Sequence, residues 1–257
     1  METRTTLPLD ILLYIIDLLA VDDNEGIKSL QILSQACKSM VPLCRKHLFS
    51  YLCLDSELSF ERFSDLLSKN PDIACYVRSL NYEVGNPISD HELNILDVLK
   101  ERSSLQSIIL SSQGLAWNYL PESIRLSLVS LIELPSVTHL NINNFKCFPA
   151  SALSGCSNLN HLRLENFDIA SPEVNQVISR RKIPAPLSLY IRTRTYGLVG
   201  LLNSASRPSG CPFVDFSHLQ TAIFEVVSRD DIGQAYELIK VATRLEYLDI
   251  CTCISGE

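Results

Sequence analysis

The chain has 257 residues, with 22 Lys and Arg against 29 Asp and Glu for a net charge of -7, and it is 46% apolar and 20% charged. That composition is too apolar for disorder, and the length suits one large domain or a small module joined to a larger one around a sizeable core. An acidic balance with no basic run longer than Arg180-Arg181-Lys182 argues against general nucleic-acid or anionic-membrane binding, where a basic footprint supplies most of the affinity.

Residues 7 to 49 read as three short helices. Pro8 suits a first helical turn, where its missing N–H costs nothing, and Asp10 places a negative charge at the helix N-terminus. Ile11, Leu12, Ile15, Ile16 and Leu19 recur at the spacings of one helix face. The run Asp22-Asp23-Asn24-Glu25-Gly26 breaks that pattern and offers caps for a second helix carrying Ile27, Leu30, Leu33 and Cys37. Pro42 marks a third start before Leu43 and His47-Leu48-Phe49. A module of this size holds too little core to stand alone and needs a surface to pack on. The apolar run Ile11 to Ile16 is short, is bracketed by Asp10 and Asp17, and follows a weak basic region in which Arg4 is offset by Glu2, so it does not read as a signal peptide. No stretch approaches the roughly 20 apolar residues of a spanning helix. A soluble protein is expected.

From residue 49 onward the period changes. Segments of the form apolar-x-x-apolar-x-apolar start at Val77, Leu105, Val137, Leu159, Pro186, Leu219 and Leu245, at intervals of 28, 32, 22, 27, 33 and 26 residues, with Phe49, Leu52 and Leu54 forming an earlier copy. Between them lie stretches with one apolar helical face, such as Phe60, Phe63, Leu66, Leu67 and Leu93, Leu96, Leu99. Each unit is a short strand followed by a helix. A unit of this size cannot bury its own apolar surface, so copies must stack, as in a leucine-rich-repeat solenoid. The competing architecture, a doubly wound sheet, predicts longer, fully apolar strands and a glycine-rich phosphate turn; neither is present.

Nine cysteines, at positions 37, 44, 53, 75, 147, 156, 211, 251 and 253, form no Cys-x-x-Cys and are mostly flanked by apolar residues. They read as reduced intracellular thiols, more often small buried hydrophobes than disulfides or zinc ligands. Cys44 with His47, and Cys251 with Cys253, are half metal sites without a second pair. His139 and His161 occupy the same repeat position and should be neighbours, where a pair of imidazoles is a candidate for metal binding or pH sensing; plain surface residues are the favoured reading. With no recognisable nucleophile, phosphate-loop or zinc-protease motif, an enzyme is not expected, and neither is a cofactor.

The run Leu7-Pro8-Leu9-Asp10-Ile11-Leu12 through Ile15-Ile16-Asp17-Leu18-Leu19, followed by Leu30 to Met40, by Pro42 to Phe49 and by Asn70 to Leu80, resembles the F-box proteins with degenerate leucine-rich repeats that mushroom-forming fungi encode in large numbers. The resemblance covers the helical module and the first repeat; beyond residue 85 the repeat rhythm alone carries it. It implies an α/β fold with an F-box at residues 1–50 and a leucine-rich-repeat-like solenoid of strand–helix units at 51–257. It further implies a substrate receptor of an SCF-type ubiquitin ligase, intracellular in the cytoplasm or nucleus. The F-box would dock on the Skp adaptor and through it on a cullin ligase, while the repeats hold a target protein and catalysis happens on other subunits. By the same resemblance Leu7, Pro8, Ile11, Leu12, Ile15, Leu30, Leu33 and Cys37 belong to the adaptor-facing or supporting core of the F-box. Phe145 and Phe167 stand where the repeat consensus has Asn or Cys, which puts regular horseshoe curvature in doubt.

The alternative is a leucine-rich-repeat scaffold, unconnected with ubiquitin, whose first helices merely cap the stack. It predicts that Ile11, Leu12 and Ile15 pack wholly inward, whereas an adaptor-binding face leaves several of them exposed. A third reading, an enzyme built on Cys44 and His47, needs an accessible cysteine with thiolate character. For the repeats, alternation along a strand puts Leu80, Leu140 and Leu162 inward. The outward strip for a target then holds Ser79, Asn81, His139, Asn141, His161, Arg163, Tyr190, Arg192, Tyr247 and Asp249. Arg163, Arg192 and Arg194 are candidates for recognising an acidic or phosphorylated segment; solvated charge offset by Glu165 and Glu225 is the favoured reading. The last strand, Leu245 to Thr252, should be an open edge with Leu248 and Ile250 facing inward, because no helix follows it before Glu257. Further repeats or a partner would cover that edge, unless the helix around Tyr236 to Val241 closes it.

Overall fold

The structure, a computed structural model, describes residues 8–21, 24–85, 90–169, 183–192, 213–226 and 229–252. Leu7, Arg180-Arg181-Lys182, Arg194, Cys211 and Cys253, singled out above, lie outside the described residues.

Three helices open the chain: α1 (Leu9–Val21), α2 (Asn24–Ala36) and α3 (Met40–Leu48). Pro8 stands just outside α1 rather than in its first turn, and its carbonyl accepts the N–H of Leu12 at 3.2 Å. A proline there loses nothing, because it is needed only as an acceptor. The three helices share a small core of their own, with Ile16, Leu30 and Cys44 fully buried and Leu19, Leu33, Met40, Leu43 and Leu48 packed around them. Across its solvent side, Asp17 of α1 accepts from Lys46 and His47 of α3, both at 2.9 Å.

Among the described residues, the remainder builds one eight-stranded sheet: β1 (Tyr51–Leu54), β2 (Ser79–Val84), β3 (Ser107–Ser112), β4 (His139–Asn143), β5 (His161–Glu165), β6 (Ser188–Arg192), β7 (Thr221–Val226) and β8 (Tyr247–Thr252). Every pair is parallel, and the spatial order is the sequence order from β1 to β8. The molecule is therefore α/β with an all-parallel sheet. A doubly wound sheet reverses its strand order at a switch point, and this order never reverses.

The sequence pattern places each strand two residues too early. The leading apolar residues Val77, Leu105, Val137, Leu159 and Leu219 are buried, yet each precedes its strand. The reason lies in how each strand is entered. Two successive N–H groups donate to a single carbonyl of the preceding unit: Arg78 and Ser79 to Ser50, Gln106 and Ser107 to Arg78, Thr138 and His139 to Gln106, and so on to Glu246 and Tyr247 on Gln220. The leading apolar side chain is tucked under this junction before the ladder begins.

On the inner face, Leu80, Ile108, Leu140, Leu162, Leu189 and Ala222 form one buried column, and Tyr82, Leu110, Ile142, Leu164, Ile191 and Phe224 a second. The helices α4 (Glu57–Lys69), α5 (Asp90–Arg102) and α6 (Glu122–Ile132), the single turn α7 (Ala150–Leu153) and α8 (Arg229–Val241) bury their apolar faces against the inner side, as one continuous core from Leu54 to Ala242. Ser56 and Ser59 cap the start of α4 reciprocally, side chain to backbone in each direction. The shortest interval, between β4 and β5, leaves room only for the four residues of α7.

Phe145 and Phe167, the departures from the repeat consensus, are fully buried. The residue before each, Asn144 and Asn166, takes a left-handed conformation with φ of 58° and 46°, which asparagine tolerates better than most residues. Their N–H groups bond across to the next unit, to the carbonyls of Glu165 and Arg192. Trp117 meets Phe145 and Phe148 edge-on at 5.8 and 4.8 Å, and Phe148 lies 5.5 Å from Phe167. The aromatic rings thus continue the core beyond the strand ends, where the loops themselves pair through Ala116 with Lys146 and Phe148 with Ile169.

One polar pair sits inside this core. The Tyr82 hydroxyl donates to the buried carboxylate of Glu92 at 2.7 Å. Burial, then the Glu92 charge, pushes the Tyr82 pKa well above the ordinary phenol value. A group raised on folding contributes stability that is complete below its unfolded pKa, about 10, and is lost as pH climbs toward the folded value. Tyr82→Phe should cost about 1–3 kcal/mol at pH 7, because it withdraws a donor from a buried carboxylate. It should also flatten the loss of stability above about pH 10, read by urea denaturation at pH 7 and pH 11. An unchanged pH 7 midpoint in the variant would show that the bond contributes nothing.

Candidate functional site

Two surfaces stand out: the outer face of the sheet and the solvent side of the first three helices. On the outer face the residues expected to form a strip do stand in columns. Ser79, Ser107, His139, His161, Ser188, Thr221 and Tyr247 follow one another strand to strand, and Asn81, Ile109, Asn141, Arg163, Tyr190, Ile223 and Asp249 form the next column. All ten strip residues are exposed or half-buried. Sequence reasoning passed over a third column, Glu83, Ser111, Asn143, Glu165, Arg192, Glu225 and Cys251, as such. The signal was available, since adding the repeat intervals to Glu83 leads to each member.

The charged centre of this face is paired within itself. Arg163 bonds Glu165 through Nε and lies over the Tyr190 ring at 4.0 Å. Arg192 reaches Glu225 at 3.0 Å and Glu165 at 3.9 Å, and the Tyr190 hydroxyl donates to Glu225. Burial, followed by the Glu225 bond and charge, pushes the Tyr190 phenol up to about 12. Glu165 is only 8% exposed, so its two arginine neighbours compensate a carboxylate largely withdrawn from water. Both arginines are thus offset by carboxylates on the same face, which matches the favoured reading of offset charge. On β4, next to this cluster, the amide oxygens of Asn141 and Asn143 are buried without a hydrogen-bond partner.

His139 and His161 are brought together as expected. Their rings stack at 4.2 Å between centroids with 17° between planes. Thr138 Oγ1 bonds His139 Nδ1 at 2.8 Å. Burial, and next the neighbouring imidazole, lowers the His139 pKa.

The helical module divides the expected adaptor-facing residues into two sets. Leu30 is fully buried and Leu33 and Leu12 are half-buried, so they serve the module's own core or its margin. Ile11 is 45% and Ile15 39% exposed, and Leu9, Tyr14, Leu18 and Ile32 are more open still. Pro8 and Cys37 are exposed as well. Cys37 lies just past the end of α2, and its thiol is lowered by a hydrogen bond with Ser39 and by the Met40 backbone. Cys44 is the opposite case: buried, and raised by that burial. With His47 turned to Asp17, the pair lacks the accessible thiolate that a nucleophile requires. Among the described residues, no three His, Cys, Asp or Glu side chains group as metal ligands, and no helix is long and apolar enough to cross a membrane. No protein-family model matches the chain, and no curated protein matches it.

Proposed function

We propose that the protein is a substrate-recognition subunit of an SCF-type ubiquitin ligase, with α1–α3 acting as an F-box that docks on the Skp adaptor. The strand–helix units would form a leucine-rich-repeat-like solenoid presenting the outer face of its sheet to a target protein. The observation that carries this reading is the apolar surface left open on α1, where Ile11 and Ile15 remain exposed although the module has a core of its own. A mere cap would turn these residues inward. A patch of aliphatics on a small helical unit is what an apolar partner surface needs. The sheet contributes the second half of the reading: a broad, regular face with one side buried and the other uncovered.

The test is a pull-down with purified Skp adaptor. Ile15→Ala is expected to weaken binding by about 1–3 kcal/mol if it anchors the interface. Leu30→Ala would instead act through stability. Undiminished capture of a folded Pro8→Ala/Ile11→Ala/Ile15→Ala triple variant, or no capture of the parent, rejects the F-box reading and leaves the scaffold.

A further inference from the structure

The His139–His161 stack lies in the middle of the outer face, on strands held in strict parallel pairing, with His139 directly opposite His161. The backbone therefore fixes the distance between the two rings, and neither can escape the other without rotating out of the stack. Two neutral imidazoles, or one neutral and one protonated, stack favourably. Two imidazolium ions at 4.2 Å repel by about 1 kcal/mol even at the dielectric constant of water, and by more where the surface is partly shielded.

Among the described residues, the strand positions flanking the stack carry no carboxylate to offset a second charge. Across from His139 on β3 stands Ser107, and across from His161 on β6 stands Ser188. The next outward residue on β4 is Asn141, and on β5 it is Arg163, a cation whose partner Glu165 is shared with Arg192. The next titratable side chain on β6 is Tyr190, which sits under Arg163 and donates to Glu225. The loops entering these strands contribute Gln106, Thr138 and Asn160, and the Nδ1 of His139 is already engaged with Thr138.

We propose that the His139–His161 stack is an acid-sensitive element of the outer sheet face, taking up one proton readily and a second only by unstacking, so that acidification rearranges this part of the surface. The inference adds a regulation to the target-facing role proposed for that face. It concerns the isolated protein, and so stands or falls separately from adaptor capture. The lowered His139 pKa agrees in sign. A histidine whose folded pKa is depressed contributes stability that is complete above its unfolded value, about 6.5, and is lost as pH falls through that value toward the folded one.

The experiment is an NMR titration of the imidazole C–H signals of the full chain between pH 4.5 and 8, with the two signals assigned from His139→Gln and His161→Gln. Both rings sit on an exposed face, and amide spectra of each variant report whether the fold is kept. The pair should titrate in two steps separated by about 0.7 pH unit or more, the Coulomb penalty above expressed in pH. In His161→Gln, the His139 signal should move up toward the ordinary histidine value. Parallel urea melts should show the parent losing more stability than His139→Gln between pH 7 and 5. A single shared step near the ordinary value, with His139 unmoved in His161→Gln, would overturn the proposal.

Discussion

Phe145→Ala is expected to lower the unfolding free energy by about 3–5 kcal/mol, the range for truncating a buried aromatic ring. That is a large share of the roughly 5–15 kcal/mol that holds a typical domain. Phe145 has no exposed surface, and its ring meets Trp117 edge-on at 5.8 Å and Phe148 at 6.1 Å. No neighbouring strand can close the void, since the backbone on both sides is tied by the loop pairing of Ala116 with Lys146 and Phe148 with Ile169. Trp117 is the one tryptophan of the chain, so its emission should shift to the red in the folded variant as the site loosens. Tyr119→Ala, at a position 80% exposed, supplies the comparison and should stay within about 0.5 kcal/mol of the parent. Equal melting of the two variants would mean that the rings beyond the strand ends are ornament to the core rather than part of it.

Hydrogen exchange should separate β8 from β4 and β5 by about a thousandfold or more, the ratio expected when one segment opens locally and another only with the whole domain. β8 pairs with β7 and with no other strand among the described residues. Its inner-face residues Leu248 and Ile250 stand next to Ala222 and Phe224, which are buried, yet remain 41% and 42% exposed. Protection across 247–252 equal to that of 139–143 would show that α8, or another covering, seals this edge.

The legibility of the fold followed from what repeats. The apolar-x-x-apolar-x-apolar segments predicted all eight described strands, while the single turn of α7 departs from the full helix expected in each unit. Their boundaries were less legible, because the leading apolar residue obeys the same burial as the strand while its backbone serves the junction. Phe145 and Phe167 read as departures from a consensus; their use as core followed from left-handed Asn144 and Asn166, a backbone property that no hydrophobic pattern encodes. The columns of the outer face were legible from alternation. The offset of Arg163 and Arg192 by Glu165 and Glu225 was legible as well, but which atoms pair depends on side-chain reach across three strands, which alternation does not encode. Similarly, Ile11, Ile15 and Ile16 share one periodicity, and only the packing of α2 and α3 separates the buried member from the exposed ones.

The doubled N–H donation at the start of β2 through β8 has a consequence for how the chain acquires its shape. Every such junction joins a unit to the one immediately before it, so no unit depends on a distant stretch of sequence for its alignment. Closing each junction fixes a loop of about thirty residues at modest entropic cost, and the next can then add onto an edge already in place. Folding of this kind can nucleate at any adjacent pair and spread in both directions, with cooperativity passed along by nearest neighbours. Damage travels by the same route: a defect in β4 is felt at β3 and β5 and fades toward β1 and β8, leaving the three N-terminal helices and the C-terminal edge to melt on separate terms.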